Sequence, residues 1–319
     1  MAWSDLGGGE ARPGVPSTGW AVGAGGLRLA TYAWDALPEC APLRGAVLCV
    51  HGHAVHARYE FLRAAAPGGP HDCYEGSLVQ RLNALGLAVR AYDQQSFGAS
   101  EGARQGTRGF VERFDDLVDD FLALAEPLKR WCAERRLPLF VLATSMGGCV
   151  ATRALQRRPK ACDGAVFVAP MLSLEAAKKQ PANRVLLPVV GALSAWAPTL
   201  RLAAGAVNER FPYLQEEMDR DPRCLSSRTV GTTVRLANEY LLATDAARAD
   251  MDKLVAPFLT LHSPQDTSVD PEASEFLHAH AAAQDKHLES VEGMWHNLLI
   301  EPGCQRVLDC IEKWLSERC

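Results

Sequence analysis

Three residues far apart in the chain have the types that a serine nucleophile requires: a hydroxyl at Ser145, an acid at Asp266 and an imidazole at His296. A serine hydroxyl attacks poorly until a base takes its proton and a third group orients that base. Each candidate follows a short, strand-like run. Ser145 ends "LPLFVLATS" (137–145), Asp266 follows "APFLTLHS" (256–263), and His296 follows "KHLESVEG" (286–293). Ser145 also lies between two small residues, Ala143 two positions before it and Gly147 two after, and the next segment, "MGGCVATRALQRR", has helical spacing. That context is a nucleophile elbow, the strained strand-to-helix turn that holds a serine Oγ above a sheet edge. Small residues are needed at the two flanking positions because strand and helix backbones run close together there.

The other candidates for these roles have competing explanations. His262 lies inside a strand run, and His278, His280 and His287 are in or beside a polar helix, whereas His296 is on a loop just before the last helix. Asp270 competes with Asp266, but it stands immediately before Pro271-Glu272 and reads better as a helix N-cap. A developing oxyanion needs two fixed backbone N–H donors. Met146, directly after the nucleophile, can supply one and His53 the other, with Gly52 letting the loop turn inward; the alternative is that His51-Gly52 is a plain turn. His51, His53 and His56 cluster, but no second group of ligands with carboxylates at helical spacing completes a metal site, so no metal is expected.

Placing such groups on one rim takes a particular kind of scaffold. "LRLATYAWDA" (27–36), "GAVLCVHGH" (45–53), "GLAVRAYD" (86–93) and "GAVFVAP" (164–170) join the runs above as strands, several with the continuous apolar character of strands buried on both faces. Between them lie helical patterns, as in "FVERFDDLVDDFLALAEPLKRW", where Phe110, Phe114, Leu117, Phe121, Leu124 and Leu128 recur three or four residues apart. Alternating strands and helices predict a mostly parallel sheet covered on both sides, with functional residues at the C-terminal strand ends. Residues 171–250 break the alternation and are expected to form an inserted helical cap; extra packing helices on the sheet are the alternative. The expected organisation is a flexible leader (1–26), a core in two parts (27–170 and 251–319) and the cap between them.

Composition narrows the function classes. The 319 residues carry a formal net charge of -5, with 48% hydrophobic and 22% charged residues. This balance suits a soluble globular protein and offers no basic face for nucleic acid. The leader "MAWSDLGGGEARPGVPSTGWAVGAGG" has no basic-then-apolar signal pattern, and no stretch of about 20 apolar residues suits a membrane span. Ten cysteines without a Cys-x-x-Cys pair read as reduced thiols in a cytoplasmic setting.

The blocks "VHGHAVHARYEFL", "AYDQQSFGASEG", "GFVERFDDLVDD", "ATSMGG", "SPQDTSVDPEAS" and "VEGMWHNLLIEPG" together resemble the monoacylglycerol lipase and lysophospholipase branch of the α/β-hydrolases, especially plant and protist members. The resemblance covers nearly everything after about residue 40. It implies the α/β-hydrolase fold with an inserted cap over an acyl tunnel, no cofactor, a triad at Ser145, Asp266 and His296, and oxyanion donors at His53 and Met146. Ala143 departs from the usual first glycine of the elbow, and Ser96-Phe97 replaces a usual glycine-histidine pair, so the loop near His53 is expected to differ in shape. The implied activity is hydrolysis of a single-chain lipid ester. Alternatives are a general short-chain carboxylesterase, a thioesterase or acyltransferase, a proline-directed peptidase, and a non-catalytic hydrolase-like binding protein. The apolar run from Arg184 to Gly205 is expected to wall the acyl chain and to offer a surface to membranes or micelles.

Overall fold

Apolar runs too short to be helices, bounded by glycine or polar residues, form the inner strands of an eight-stranded sheet. The computed structural model describes residues 14–36, 41–66, 68–179, 181–203, 207–225 and 231–319. The first half of the core contains β1 (Ser17–Val22), β2 (Arg28–Trp34) and β3 (Gly45–Val50), then the short helix α1 (Ala57–Phe61) and a small hairpin of β4 (Arg63–Ala64) and β5 (His71–Cys73). It continues with α2 (Leu78–Ala84), β6 (Leu87–Tyr92), α3 (Phe114–Arg135), β7 (Leu139–Thr144), α4 (Ser145–Arg157) and β8 (Gly164–Val168). Between β8 and the next core strand come α5 (Glu175–Lys179), α6 (Pro181–Trp196), β9 (Arg201–Ala203), α7 (Pro212–Arg220), β10 (Thr232–Thr233) and α8 (Val234–Ala249). The chain then returns to the sheet as β11 (Phe258–His262), α9 (Glu272–His280), β12 (Lys286–Ser290) and α10 (Cys304–Ser316).

The sheet order is β1-β2-β6-β3-β7-β8-β11-β12. β1 and β2 pair antiparallel at one edge, and the six strands from β6 to β12 run parallel. The chain steps from β3 outward to β6, then crosses back to β7 on the other side. This reversal opens a crevice at the C-terminal ends of the central strands, where side chains from different strands can meet. Strand alternation divides the core into two layers. Leu48, Val50, Val141 and Phe167 pack with α3, α4 and α8 on one face. Val47, Cys49, Leu142 and Val166 pack with α2 and α10 on the other. The fold is the α/β-hydrolase fold, a mostly parallel sheet flanked by helices.

Several boundaries differ from the sequence reading. Residues 17–22, assigned to a flexible leader, are the edge strand β1; its small residues face inward, while Trp20 is 44% exposed under the Arg28 guanidinium. The apolar side chains that would have signalled a strand therefore point to solvent. Residues 1–13 of the proposed leader lie outside the described residues. Phe110 precedes α3 instead of sitting on its face, with its N–H donated to Ser96 Oγ. Asp270 does not cap α9 with its side chain. Its Oδ2 accepts from Ser173 Oγ and from Glu175 N, capping α5 across the crevice.

The insertion is not uniform. α8 buries Leu236, Tyr240, Ala243 and Ala247 in the layer of α3 and α4. Its C-terminal end is held by Arg153, which pairs with Asp250, and by Gln156, which donates to Ala247 O. Packing on the sheet layer thus describes α8, while α6 lies outside it against α8 and leaves Trp196 92% exposed. Residues 204–205, the end of the Arg184–Gly205 run, are outside the described residues.

Candidate active site

β7 delivers Ser145 to the crevice through a turn that only a close backbone approach can make. Ser145 has φ of 47°, the left-handed region that residues with a Cβ rarely adopt. A Cβ on Gly147 would run into Val50 O and come within 2.7 Å of His51 O, and one on Gly148 would lie 2.6 Å from Pro170. Both positions therefore demand glycine. Ala143 is fully buried at the strand end, where its methyl group is accommodated. A Cβ on Gly52 would lie 3.2 Å from the Cβ of Ser145, so the loop after β3 passes directly beside the hydroxyl.

Asp266, on the loop after β11, and His296, on the loop after β12, meet Ser145 at this rim. His296 Nδ1 lies 2.6 Å from Asp266 Oδ2, and His296 Nε2 lies 3.0 Å from Ser145 Oγ. The carboxylate accepts the hydrogen bond from Nδ1–H, and this tautomer leaves Nε2 unprotonated to accept from the hydroxyl. Burial would raise the Asp266 pKa, but His296 and His262 hold it well below the usual carboxylate range. Burial pulls His296 down, but Asp266, Glu60 and Glu301 together more than offset this, so the imidazole titrates above the ordinary histidine value.

Three residues that the sequence reading passed over complete the arrangement. His262 donates from Nε2 to Asp266 Oδ2 at 3.1 Å, and its Nδ1 is 2.6 Å from Ser274 Oγ. With Ser268 N and Val269 N on Oδ1, Asp266 has four donors. Glu301, fully buried, accepts from the backbone N–H groups of Trp295, His296 and Asn297 and so shapes the histidine loop. The available signal was a single acid in the apolar stretch "NLLIEPG". Glu60 faces the site from α1, its carboxyl 3.4 Å from Gly52 N; burial raises its pKa, opposed by that N–H, His296 and Thr144.

The candidate oxyanion donors sit on either side of the serine. Met146 is the second residue of α4, where first-turn N–H groups have no partner in a preceding turn. His53 follows Gly52, and Ala54 after it has φ of 67°. The remaining histidines of that cluster are tied into hydrogen bonds. His51 accepts from Gln94 N at Nε2 and donates from Nδ1 to Gly52 O; burial lowers its pKa to about 4. His56 pairs with Asp221 at 2.9 Å, near Cys224. His56 Nδ1 accepts from Tyr59 N, so Nε2 carries a proton toward the carboxylate and is not presented to a metal. The described cysteines are free thiols, and Cys40 is outside the described residues.

A cavity of about 110 Å³ adjoins Ser145 and His296, with Glu60, Asn208, Leu214 and Met218 in its wall. The Asn208 side-chain amide is buried there, and its Nδ2 has no hydrogen-bond partner among the described residues.

The monoacylglycerol lipase of Mycolicibacterium smegmatis is 28% identical over 295 residues, covering 92% of this chain and 95% of the relative. The monoglyceride lipase of Homo sapiens is 28% identical over 254 residues, covering 78% of this chain and 80% of the relative. A soluble variant of monoglyceride lipase from Saccharomyces cerevisiae, solved in complex with a substrate analog, superposes with a TM-score of 0.77 at 17% identity, covering 97% of this chain and 98% of that one. At that identity the likeness speaks for the fold. Residues 68–303 match the family described as serine aminopeptidase, S33, and by this match the chain belongs to that family of α/β-hydrolases.

Proposed function

We propose that the protein hydrolyses carboxylic esters of single-chain lipids, monoacylglycerols or lysophospholipids, through an acyl-serine intermediate. One observation carries the reading: a single imidazole, His296, within hydrogen-bond reach of both the Ser145 hydroxyl and the Asp266 carboxylate. His296 takes the Ser145 proton as Oγ attacks the ester carbonyl, and the tetrahedral oxyanion is received by the backbone N–H groups of His53 and Met146. The imidazolium passes its proton to the departing alcohol, then removes one from the water that releases the fatty acid. Asp266 holds the tautomer and stabilises the charged ring. The relatives named as monoacylglycerol and monoglyceride lipases support the substrate class. Asn208 Nδ2, without a hydrogen-bond partner among the described residues, would supply a donor for a hydroxylated leaving group.

The exposed apolar side chains of the insertion, Val189, Trp196, Leu200 and Leu242, support contact with a lipid surface. Among the described residues, no helix is long and apolar enough to cross a membrane, so such contact would be peripheral. Sedimentation with liposomes tests this, and Trp196→Ala is expected to reduce the bound fraction. The helices α5 to α7 would then serve as the cap.

A second reading, a general short-chain carboxylesterase, is favoured by the cavity of about 110 Å³, well below the roughly 300 Å³ at which ligand pockets begin. A panel of p-nitrophenyl esters of increasing length, run beside monoacylglycerols, lysophospholipids and amino-acid amides, separates these readings. Rates that peak at acetate or butyrate would favour the second, and faster turnover of amides would overturn both. Fluorophosphonate labelling that survives Ser145→Ala would show that another serine is the nucleophile.

A further inference from the structure

The loop that carries His53 is joined to the insertion by more bonds than packing alone requires. Tyr240 of α8 places its hydroxyl 2.7 Å from His53 Nδ1 and 2.9 Å from Met146 Sδ. Thr232 of β10 places its hydroxyl 3.2 Å from His53 Nε2. Leu225 N donates to Ala54 O at 2.6 Å. One chain of protons satisfies all three side-chain contacts: Thr232 Oγ1–H to Nε2, Nδ1–H to the Tyr240 oxygen, and Tyr240 O–H to the sulfur, a weak acceptor. The ring of His53 is neutral in this arrangement, in keeping with a pKa that burial lowers to about 4.

Phe97 supports the same ring from the other side. Its centroid is 5.6 Å from that of His53 and 6.0 Å from that of His51, both edge-on. This is the phenylalanine that stands where a histidine is usual in the resembling family, and Ser96 before it takes φ of 71° to turn it inward. A loop with a residue at positive φ, such as Ala54, holds its shape only when its surroundings over-determine it. Here Phe97, Tyr240, Thr232 and Leu225 provide those surroundings.

We propose that Tyr240 is a positioning residue for the oxyanion hole: its hydroxyl bridges the side chains of His53 and Met146, and so fixes the two residues whose backbone N–H groups receive the oxyanion. Among the described residues Tyr240 makes no hydrogen bond to Ser145 or His296, so it acts through the two donors. The inference rests on the reading of Ser145 as nucleophile and goes beyond it by making the hole a joint product of core and insertion.

The test is Tyr240→Phe, which removes one oxygen and keeps the ring, assayed with p-nitrophenyl butyrate and with butylboronic acid as a mimic of the tetrahedral intermediate. Loss of an oxyanion donor typically costs about 10²–10³ in kcat, and a misplaced one should cost less, about tenfold. The expected result is kcat down about tenfold, KM within about twofold, and boronate affinity weakened by the same factor as kcat/KM. A kcat and boronate affinity both within about twofold of wild type would overturn the assignment. Should Tyr240→Phe fail to fold, Thr232→Val removes the donor on the other ring nitrogen and is judged by the same two criteria. Ser145→Ala run in parallel separates the two levels. Turnover that survives it sinks the nucleophile reading and this inference together. Turnover lost in Ser145→Ala while Tyr240→Phe keeps the wild-type rate sinks only the inference.

Discussion

At Asp266, two histidines converge on one carboxylate oxygen, and each makes a separate prediction. In the proposed mechanism neutral His296 is the base, so kcat/KM should rise with pH as the imidazole loses its proton. The carboxylate holds that pKa above the ordinary value of about 6.5, which places the midpoint of the acid limb above it. Asp266→Asn removes the carboxylate and leaves burial to pull the pKa down; the midpoint should move to lower pH while kcat falls about 10⁴-fold. A midpoint that stays in place in a pH-rate profile would mean the carboxylate does not set the imidazole. His262→Ala takes one charge-assisted donor from Asp266 and is expected to cost about 1.5–3 kcal/mol in thermal unfolding, with kcat lower by about tenfold. The positions of Ser145, Asp266 and His296 were legible because each follows a strand-like run and their types are those of a relay. His262 was hidden by its own strand: nothing in "FLTLH" says that the ring will reach four residues ahead. Tyr240 was hidden for another reason, since its partners are 187 and 94 residues away.

Among the elements, the inner strands were legible from their continuous apolar runs, and the edge strand β1 was not. β1 shows its Trp20 and Val22 to solvent, so alternation reported no buried face. The elbow is the most constrained element, and it predicts opposite outcomes at two small residues. Gly147→Ala would force a methyl group against the Val50 and His51 carbonyls, which helix and strand cannot both yield; a loss of about 1–3 kcal/mol in denaturant unfolding is expected, with fluorophosphonate labelling impaired. Ala143→Gly creates no clash and should cost about 0.5–1 kcal/mol of strand stability with labelling intact. Helix α7 was legible only as part of the helical cap expected over residues 171–250. The structure adds its fastenings, the buried pairs His56–Asp221 and His71–Glu217 and the bond from the Tyr59 hydroxyl to Leu214 O. Asp221→Ala leaves a buried imidazole without its partner, and about 3 kcal/mol of destabilisation is expected. Hydrogen exchange should locate the loosening in α7 and not in the sheet.

For the molecule as a whole, the insertion divides into a part that belongs to the core and a part that can leave it. α8 shares the hydrophobic layer of α3 and α4, and Tyr240, Ala243 and Ala247 could be exposed only by opening that layer. α6 contains Pro188, which removes a helical hydrogen bond, and it shows Val189 and Trp196 to solvent. If the acyl chain of the proposed substrate enters by the cavity of about 110 Å³ beside Ser145 and His296, that cavity must widen, and the movement should belong to α6 and α7. Native-state hydrogen exchange can test this division directly. Amides of α8 should exchange with the slow set of β3 and β7, and those of α6 with the fast set. Inhibition by a long-chain alkylphosphonate should slow exchange in α6 and α7 and leave α8 unchanged. If α8 instead exchanges with α6, the bridge from Tyr240 to His53 and Met146 would break each time the site opened. The oxyanion hole would then be assembled anew at every turnover, and Tyr240→Phe should raise KM as well as lower kcat.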